Sequence, residues 1–135
     1  MRKTVGVVLC LVSLSTQAES IDCNNAVTTF DINVCEGKKL KEAEVKLVQY
    51  LAKALEVIKE QKEAFSSLEK SQTAWEEYKD EYCDAVYENW SDGSIRGFMQ
   101  ISCLIKLTNQ RTHNIWQDYL TYMDSSPPIL PEPEK

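Results

Sequence analysis

The chain has 135 residues, with 21 acidic side chains against 15 basic ones and a formal charge of −6. That length suits one modest domain, and the negative balance argues against nucleic acid as a partner, because holding phosphates takes a surplus of Lys and Arg. Four glycines and four prolines supply few tight turns, so a sandwich or barrel of many short strands is disfavoured and helix is favoured.

Residues 1–18 read as a secretory signal. Arg2 and Lys3 open it, Val5 to Leu14 is apolar apart from Gly6 and Ser13, and Thr16-Gln17-Ala18 offers small residues at the −3 and −1 positions of a cleavage site. The apolar run is about half the roughly 20 residues a membrane-spanning helix needs, so no stable membrane insertion is expected after cleavage. Cys10 follows Leu9 and lies too near the start for a lipoprotein acylation site. Loss of Arg2 and Lys3 leaves 13 basic against 21 acidic groups, a charge of −8 on the exported chain.

In the remainder, Thr28 with Asp31 three residues on resembles a capping box that opens a short helix containing Ile32 and Cys35, which Gly37 bends or ends. From Lys38, apolar residues at Leu40, Ala43, Leu47, Leu51, Ala54, Leu55 and Ile58 fall at helical spacing with Lys, Glu and Gln opposite. A hairpin turn is expected within 58–67, where Ser66 and Glu69 form a second capping box; one continuous helix is the alternative, since no Gly or Pro forces a stop. The next stripe is Leu68, Gln72, Trp75, Tyr78 or Lys79, Tyr82 and Val86, ending at the turn signal Asn89-Trp90-Ser91-Asp92-Gly93-Ser94. A last helix carries Phe98, Ile101, Leu104, Ile105, Thr108, Ile115, Tyr119 and Tyr122. Residues 124–135 hold all four prolines and several acids, and are expected to form a disordered tail, too poor in apolar area to offset ordering entropy. The sum is an all-α domain over 19–123, a small antiparallel bundle of three to four helices stapled by two disulfides.

The exported chain keeps Cys23, Cys35, Cys83 and Cys103. An even count in a small exported domain reads as two bridges; gaps of 12, 48 and 20 residues lack the close pairs of zinc sites and His113 stands alone, so neither metal nor cofactor is expected. Three pairings are possible. Twelve residues of straight helix would hold Cys23 and Cys35 about 18 Å apart, but a lead-in folding back from Thr28 can join them. Cys83 and Cys103 flank the 90–94 turn, which favours Cys23–Cys35 with Cys83–Cys103, each worth roughly 3 kcal/mol.

This pattern resembles the LprI-type lysozyme-inhibitor family. The matching residues are Asp22-Cys23-Asn24-Asn25-Ala26-Val27-Thr28 with Asp31, Asn33 and Cys35, then Gln72-Thr73-Ala74-Trp75 with Tyr78-Lys79-Asp80 and Cys83. Asp92-Gly93-Ser94, Cys103, Leu107-Thr108 and Arg111-Thr112 complete the set. Departures are Lys79 in place of the family's usual Arg, Asp92 for a common Gly, Val48 for a frequent Asn and Asp31 for a typical Glu. The resemblance implies a secreted, helical, disulfide-bonded domain and, for some members, inhibition of lysozyme.

Enzymatic chemistry finds little support. The acids lie on polar helix faces, no serine sits in a G-x-S-x-G elbow, and His113 has no obvious nucleophile beside it. Trp75 is expected in the core, with Asp80 and Arg111 paired across helices. The loop from Glu88 to Arg96 is the candidate partner-binding surface. Trp90, Ser91, Asp92, Gly93, Ser94 and Arg96 sit on a connection stiffened by a bridge, which suits protein recognition with an aromatic anchor. Electrostatics favours a basic partner such as a c-type lysozyme or another basic envelope-targeting protein. The expectation is thus a periplasmic or secreted binding domain that occludes a lysozyme's cleft; the alternative is an envelope structural or immunity protein for another partner.

Overall fold

The computed structural model describes residues 21–134; the expected signal segment, 1–18, lies outside them. Three helices follow one another, α1 (Thr29–Val57), α2 (Lys62–Asn89) and α3 (Arg96–Tyr119), with no strand among the described residues. Consecutive helices are antiparallel. Asn33 lies beside Gly97 at one end of the bundle, and Ile58 and Leu120 share the core at the other, so α1 and α3 run the same way. Helix α3 is central and packs on both others, whereas α1 and α2 barely meet.

The Thr28 cap forms as read. Its Oγ1 accepts from the Asp31 backbone N–H at 3.1 Å and donates to the Asp31 carboxylate at 2.7 Å. The short first helix, however, is the start of one 29-residue helix, and Gly37 neither bends nor ends it. A mid-helix glycine costs about 1 kcal/mol, which the long α1–α3 contact overrides. The hairpin falls at the start of the expected window, where the Gln61 N–H donates to the Ile58 carbonyl at 2.8 Å. Ser66 and Glu69 lie inside α2 and cap nothing.

The core is built from Leu47, Tyr50, Ala54 and Ile58 of α1 and the turn after it, Leu68 of α2, and Ile115 and Leu120 at the end of α3. Tyr78, Tyr82 and Tyr122, read as core-facing, are instead half exposed. On α2 the buried positions are Leu68, Gln72 and Cys83, a narrower set than the apolar residues suggested, because only one neighbour covers that helix. Both bridges form, Cys23–Cys35 with Cα atoms 5.5 Å apart and Cys83–Cys103 at 5.6 Å.

The expected disordered tail, 124–135, is corrected over 129–134. Residues 129–134 form a strap across α1 and α3, with Ile129 and Leu130 packed on the core and Pro133 buried. The Ile129 N–H donates to the Leu120 carbonyl, Trp116 Nε1 to the Leu130 carbonyl and Tyr50 Oη to the Pro131 carbonyl, each at 2.8 Å. His113 Nε2 and Glu132 Oε1 lie 3.0 Å apart. Composition misses this because two apolar residues, two carbonyls with waiting donors and one N–H with a waiting acceptor suffice, and proline has already restricted the unfolded segment.

Burial raises the Tyr50 phenol above its usual value of 10.0. The folded state therefore favours neutral Tyr50. The stability this supplies is complete below about pH 10 and falls away as pH rises through the folded value, because a phenolate cannot donate to Pro131. In an ultraviolet titration Tyr50 should ionise above its usual value, with Trp116 fluorescence changing in the same step. Tyr50→Phe should abolish that step at a cost of about 1 kcal/mol; a fluorescence step retained in the variant would reject the assignment.

Candidate functional site

The turn between α2 and α3 is closed by its own backbone. Successive N–H groups of Trp90, Ser91 and Gly93 donate to the carbonyls of Tyr87, Glu88 and Trp90 at 3.3, 3.1 and 2.9 Å, and Arg96 N–H reaches the Gly93 carbonyl at 3.3 Å. Below it the Cys83–Cys103 bridge joins the helices, Cys83 being fully buried. One turn of helix away from that bridge, Gln100 Nε2 donates to Asp84 Oδ1 at 2.6 Å. A loop held in this way has little entropy left to lose on binding.

Of the six loop residues singled out by sequence, the structure exposes Trp90, Ser91, Asp92 and Ser94, with Gly93 half-buried. Trp90 remains 39% exposed, so its ring is not folded into the core. Arg96 is turned to the loop's own support. Its guanidinium stacks on Tyr87, 3.6 Å from the ring centre, and Nη2 meets Glu88 Oε1 at 3.1 Å. It acts as a brace beneath the turn.

Gly97 is the glycine at which the packing is tightest among the described ones. A Cβ there would lie 3.0 Å from Asn33 Nδ2, so its absence lets the first turns of α1 and α3 approach. Gly93, the apparent turn glycine, has no positive φ, and a Cβ on it would meet only ordinary contacts.

The acids beside the loop form a solvated face with a regular spacing. Glu77, Glu81, Asp84 and Glu88 recur at helical spacing and all are exposed. Between Glu76 and Asp92 seven acids stand against one base, Lys79. Glu77 and Glu81 have no hydrogen bond or ion pair among the described residues, while Tyr78 and Tyr82 stack at 5.6 Å, 54% and 50% exposed. The 4-3-4 spacing of the acids was legible in the sequence; exposure of the tyrosines was not, because their spacing equally fits a core stripe.

The expected Asp80–Arg111 pair does not form. Arg111 Nε donates to Gln72 Oε1 at 3.0 Å and Nη2 to Ser71 Oγ at 2.9 Å, while Asp80 stays exposed beside Lys79 at 3.3 Å. Eight residues of helix separate Gln72 from Asp80, about 12 Å of rise, so a guanidinium engaging the first is beyond the second. Burial lowers the Arg111 pKa below its ordinary value, with Tyr119 and Asp118 opposing that shift. Trp75 is half-buried at the core's margin with the Lys79 ammonium 5.4 Å from its ring centre. No cluster of His, Cys, Asp or Glu among the described residues is placed to hold a metal, and no described helix is long and apolar enough to cross a membrane.

Against known proteins, a family model described as lysozyme inhibitor LprI matches residues 22–115, from the segment before α1 through most of α3. An uncharacterised protein of Rhizobium meliloti (strain 1021) is 25% identical over 114 residues, which cover 76% of this chain and 82% of that protein. No solved structure matches.

Proposed function

Since the chain belongs to the LprI lysozyme-inhibitor family, we propose that it is a periplasmic or secreted domain that inhibits a basic lysozyme of the c type by covering its substrate cleft. The observation carrying this reading is the conjunction at one end of the bundle. A bridge-stiffened loop presents Trp90 and Asp92 beside an exposed run of acids on α2. The aromatic supplies a burial anchor of the kind that dominates interface energetics. Surrounding carboxylates steer a cationic partner and fix its orientation. A charge of −8 on the exported chain extends that attraction beyond contact distance. Arg96 contributes by holding the turn, so its role is to position Trp90 and Asp92.

The reading requires no chemistry of the chain's own, since occlusion of a cleft is sufficient. Its test is the rate at which hen and human lysozymes clear a suspension of bacterial cell walls in the presence of the disulfide-bonded chain. Inhibition should saturate near one equivalent. Replacing 88–96 by a Gly-Ser linker of equal length should weaken it by at least about tenfold while the helical circular-dichroism signal persists. Full lysozyme activity at large excess of the intact chain would reject the proposal. Unchanged inhibition by the linker variant would move the site elsewhere on the domain.

A further inference from the structure

The two disulfides lie toward one end of the bundle and the apolar core toward the other. Cys35 is about two turns into α1, Cys83 about two turns from the end of α2, and Cys103 about two turns into α3. Seventeen residues of α1, about 26 Å of rise, separate Phe30 from Leu47, where the core cluster begins on that helix. The apolar side chains at the disulfide end are left in solvent. Phe30 is 70% exposed and Val27 85%, and Ile95 and Trp90 are exposed at the same end. Phe30 stands three residues before Asn33 and so on the same side of α1, the side that meets α3 at Gly97. Helix α3 starts only at Arg96. Phe30 is therefore level with the end of the 88–96 loop, a turn beyond any helix that could cover it. Val27 precedes the Thr28 cap, where an apolar residue ordinarily folds back onto the first turn, and its exposure shows that it does not. Neither side chain supports the core or the cap, and an exposed apolar patch with a polar rim marks a contact surface.

The charges at this end identify the occupant. Glu36 is paired with Lys39 at 2.7 Å and Glu88 with Arg96 at 3.1 Å, and Lys38 Nζ lies 3.7 Å from the Cys23 sulfur. Asp22, Asp31 and Asp92 have no ion pair among the described residues. Three unpaired carboxylates thus stand against one unpaired ammonium, Lys38. Two copies of the chain meeting here would oppose like charges, whereas a cationic protein surface is attracted. We propose that Phe30 and Val27 form a second anchor for the same basic partner, so that the contact surface spans the lead-in and the start of α1 as well as the 88–96 loop. The inference rests on the inhibitory reading above and extends its site across the end of the bundle. The Cys23–Cys35 bridge ties the lead-in to α1 as the Cys83–Cys103 bridge ties the loop, so both anchors are held before contact.

Inhibition of hen lysozyme by the disulfide-bonded chain tests this, with Phe30→Ala, Phe30→Leu and the 88–96 linker variant measured beside the parent. Phe30→Ala should raise the half-inhibitory concentration at least about tenfold, and Phe30→Leu should recover most of that loss. The change should fall on the dissociation rate and persist in added salt, because an apolar anchor does not act through unscreened charge. Helical circular dichroism and the urea midpoint of Phe30→Ala should match the parent. Loss of inhibition in Phe30→Ala with none in the linker variant would support the second anchor and move the site off the loop. Unchanged inhibition by Phe30→Ala, beside a linker variant that inhibits poorly, overturns this inference and leaves the loop reading standing. A urea midpoint that falls with the inhibition also overturns it, by making Phe30 a support of the fold. So does a Phe30→Ala variant that loses self-association in sedimentation while inhibiting normally, which assigns the face to a second copy. A parent chain without effect on lysozyme removes the inhibitory reading and this inference with it.

Discussion

Replacing Cys83 and Cys103 together by alanine is expected to destabilise the domain by about 3 kcal/mol, and by distinctly more than the same replacement of Cys23 and Cys35. The two bridges close loops with sequence separations of 20 and 12 residues, and chain entropy alone assigns each roughly 3 kcal/mol. The asymmetry arises in the folded state. Cys83 is fully buried between packed helices, so cutting its bridge frees little in the native structure and the loss falls almost wholly on the unfolded side. Truncation there adds a small cavity penalty. Cys23 lies in an exposed lead-in whose hydrogen bonds are mostly internal, Asp22 to Asn24 and Asn25, with Lys38 Nζ of α1 3.7 Å from the Cys23 sulfur. When its bridge is cut that segment gains freedom in the native state as well, which offsets part of the cost. Urea unfolding of the two double variants and the parent measures the difference. Equal losses would mean that the lead-in is fixed by contacts other than its disulfide. The Cys83–Cys103 variant should also inhibit lysozyme less well, since its loop must then be ordered on binding.

Residues whose role is set locally were legible before the fold was known. The Thr28 cap, the turn after Asn89 and the break after Ile58 each depend on chemistry within a few positions, and each lies within the span assigned to it. The bridges were legible because lead-in and hairpin geometry made one pairing easy. What failed was judgement of which side of a helix meets a neighbour. Periodicity gives the width of an apolar stripe and says nothing about how many helices cover it. With α1 and α2 both on α3 and scarcely on each other, Tyr78 and Tyr82 stay in solvent, and Tyr50, absent from the expected stripe, is buried because the strap lies over it.

Long-range polar partners were equally hidden. Opposite charge makes an acid the obvious partner for Arg111, yet it lies opposite Gln72 and Ser71, whose neutral oxygens accept its N–H groups. Gln72 opens the Gln72-Thr73-Ala74-Trp75 segment and falls at a stripe position, an unusual place for an amide. A buried side-chain amide with one oxygen and two N–H groups requires partners, and that requirement was the available signal. The tail failed for the opposite reason. Its composition is that of an unstructured segment, and only the tertiary arrangement of Trp116, Tyr50 and His113 gives it a place to lie.

Neutralising the acidic run on α2 should make the protein more stable and a poorer inhibitor. Glu77, Glu81, Asp84 and Glu88 repeat at spacings of four, three and four along one side of the helix, so neighbours repel by about 0.2–0.5 kcal/mol per pair. Glu88 also stands in the last turn, where the helix dipole disfavours an anion by about 0.3–1 kcal/mol and no basic residue of the helix relieves it. Asp84 and Glu88 recover something from Gln100 and Arg96; Glu77 and Glu81 recover nothing among the described residues. The double variant Glu77→Gln, Glu81→Gln should therefore unfold at a temperature several degrees higher, for a gain of about 1 kcal/mol in a domain of this size. Association with a basic lysozyme should slow by about tenfold at low ionic strength and much less in added salt, because steering depends on unscreened charge. Calorimetry and stopped-flow binding at two salt concentrations measure both effects. A destabilised variant would place these carboxylates in the fold's support. A stabilised one that binds at an unchanged, salt-insensitive rate would show that the acids only keep the helix hydrated. Greater stability joined to slower association is the outcome expected of a surface held against its own folding preference for the sake of a cationic partner.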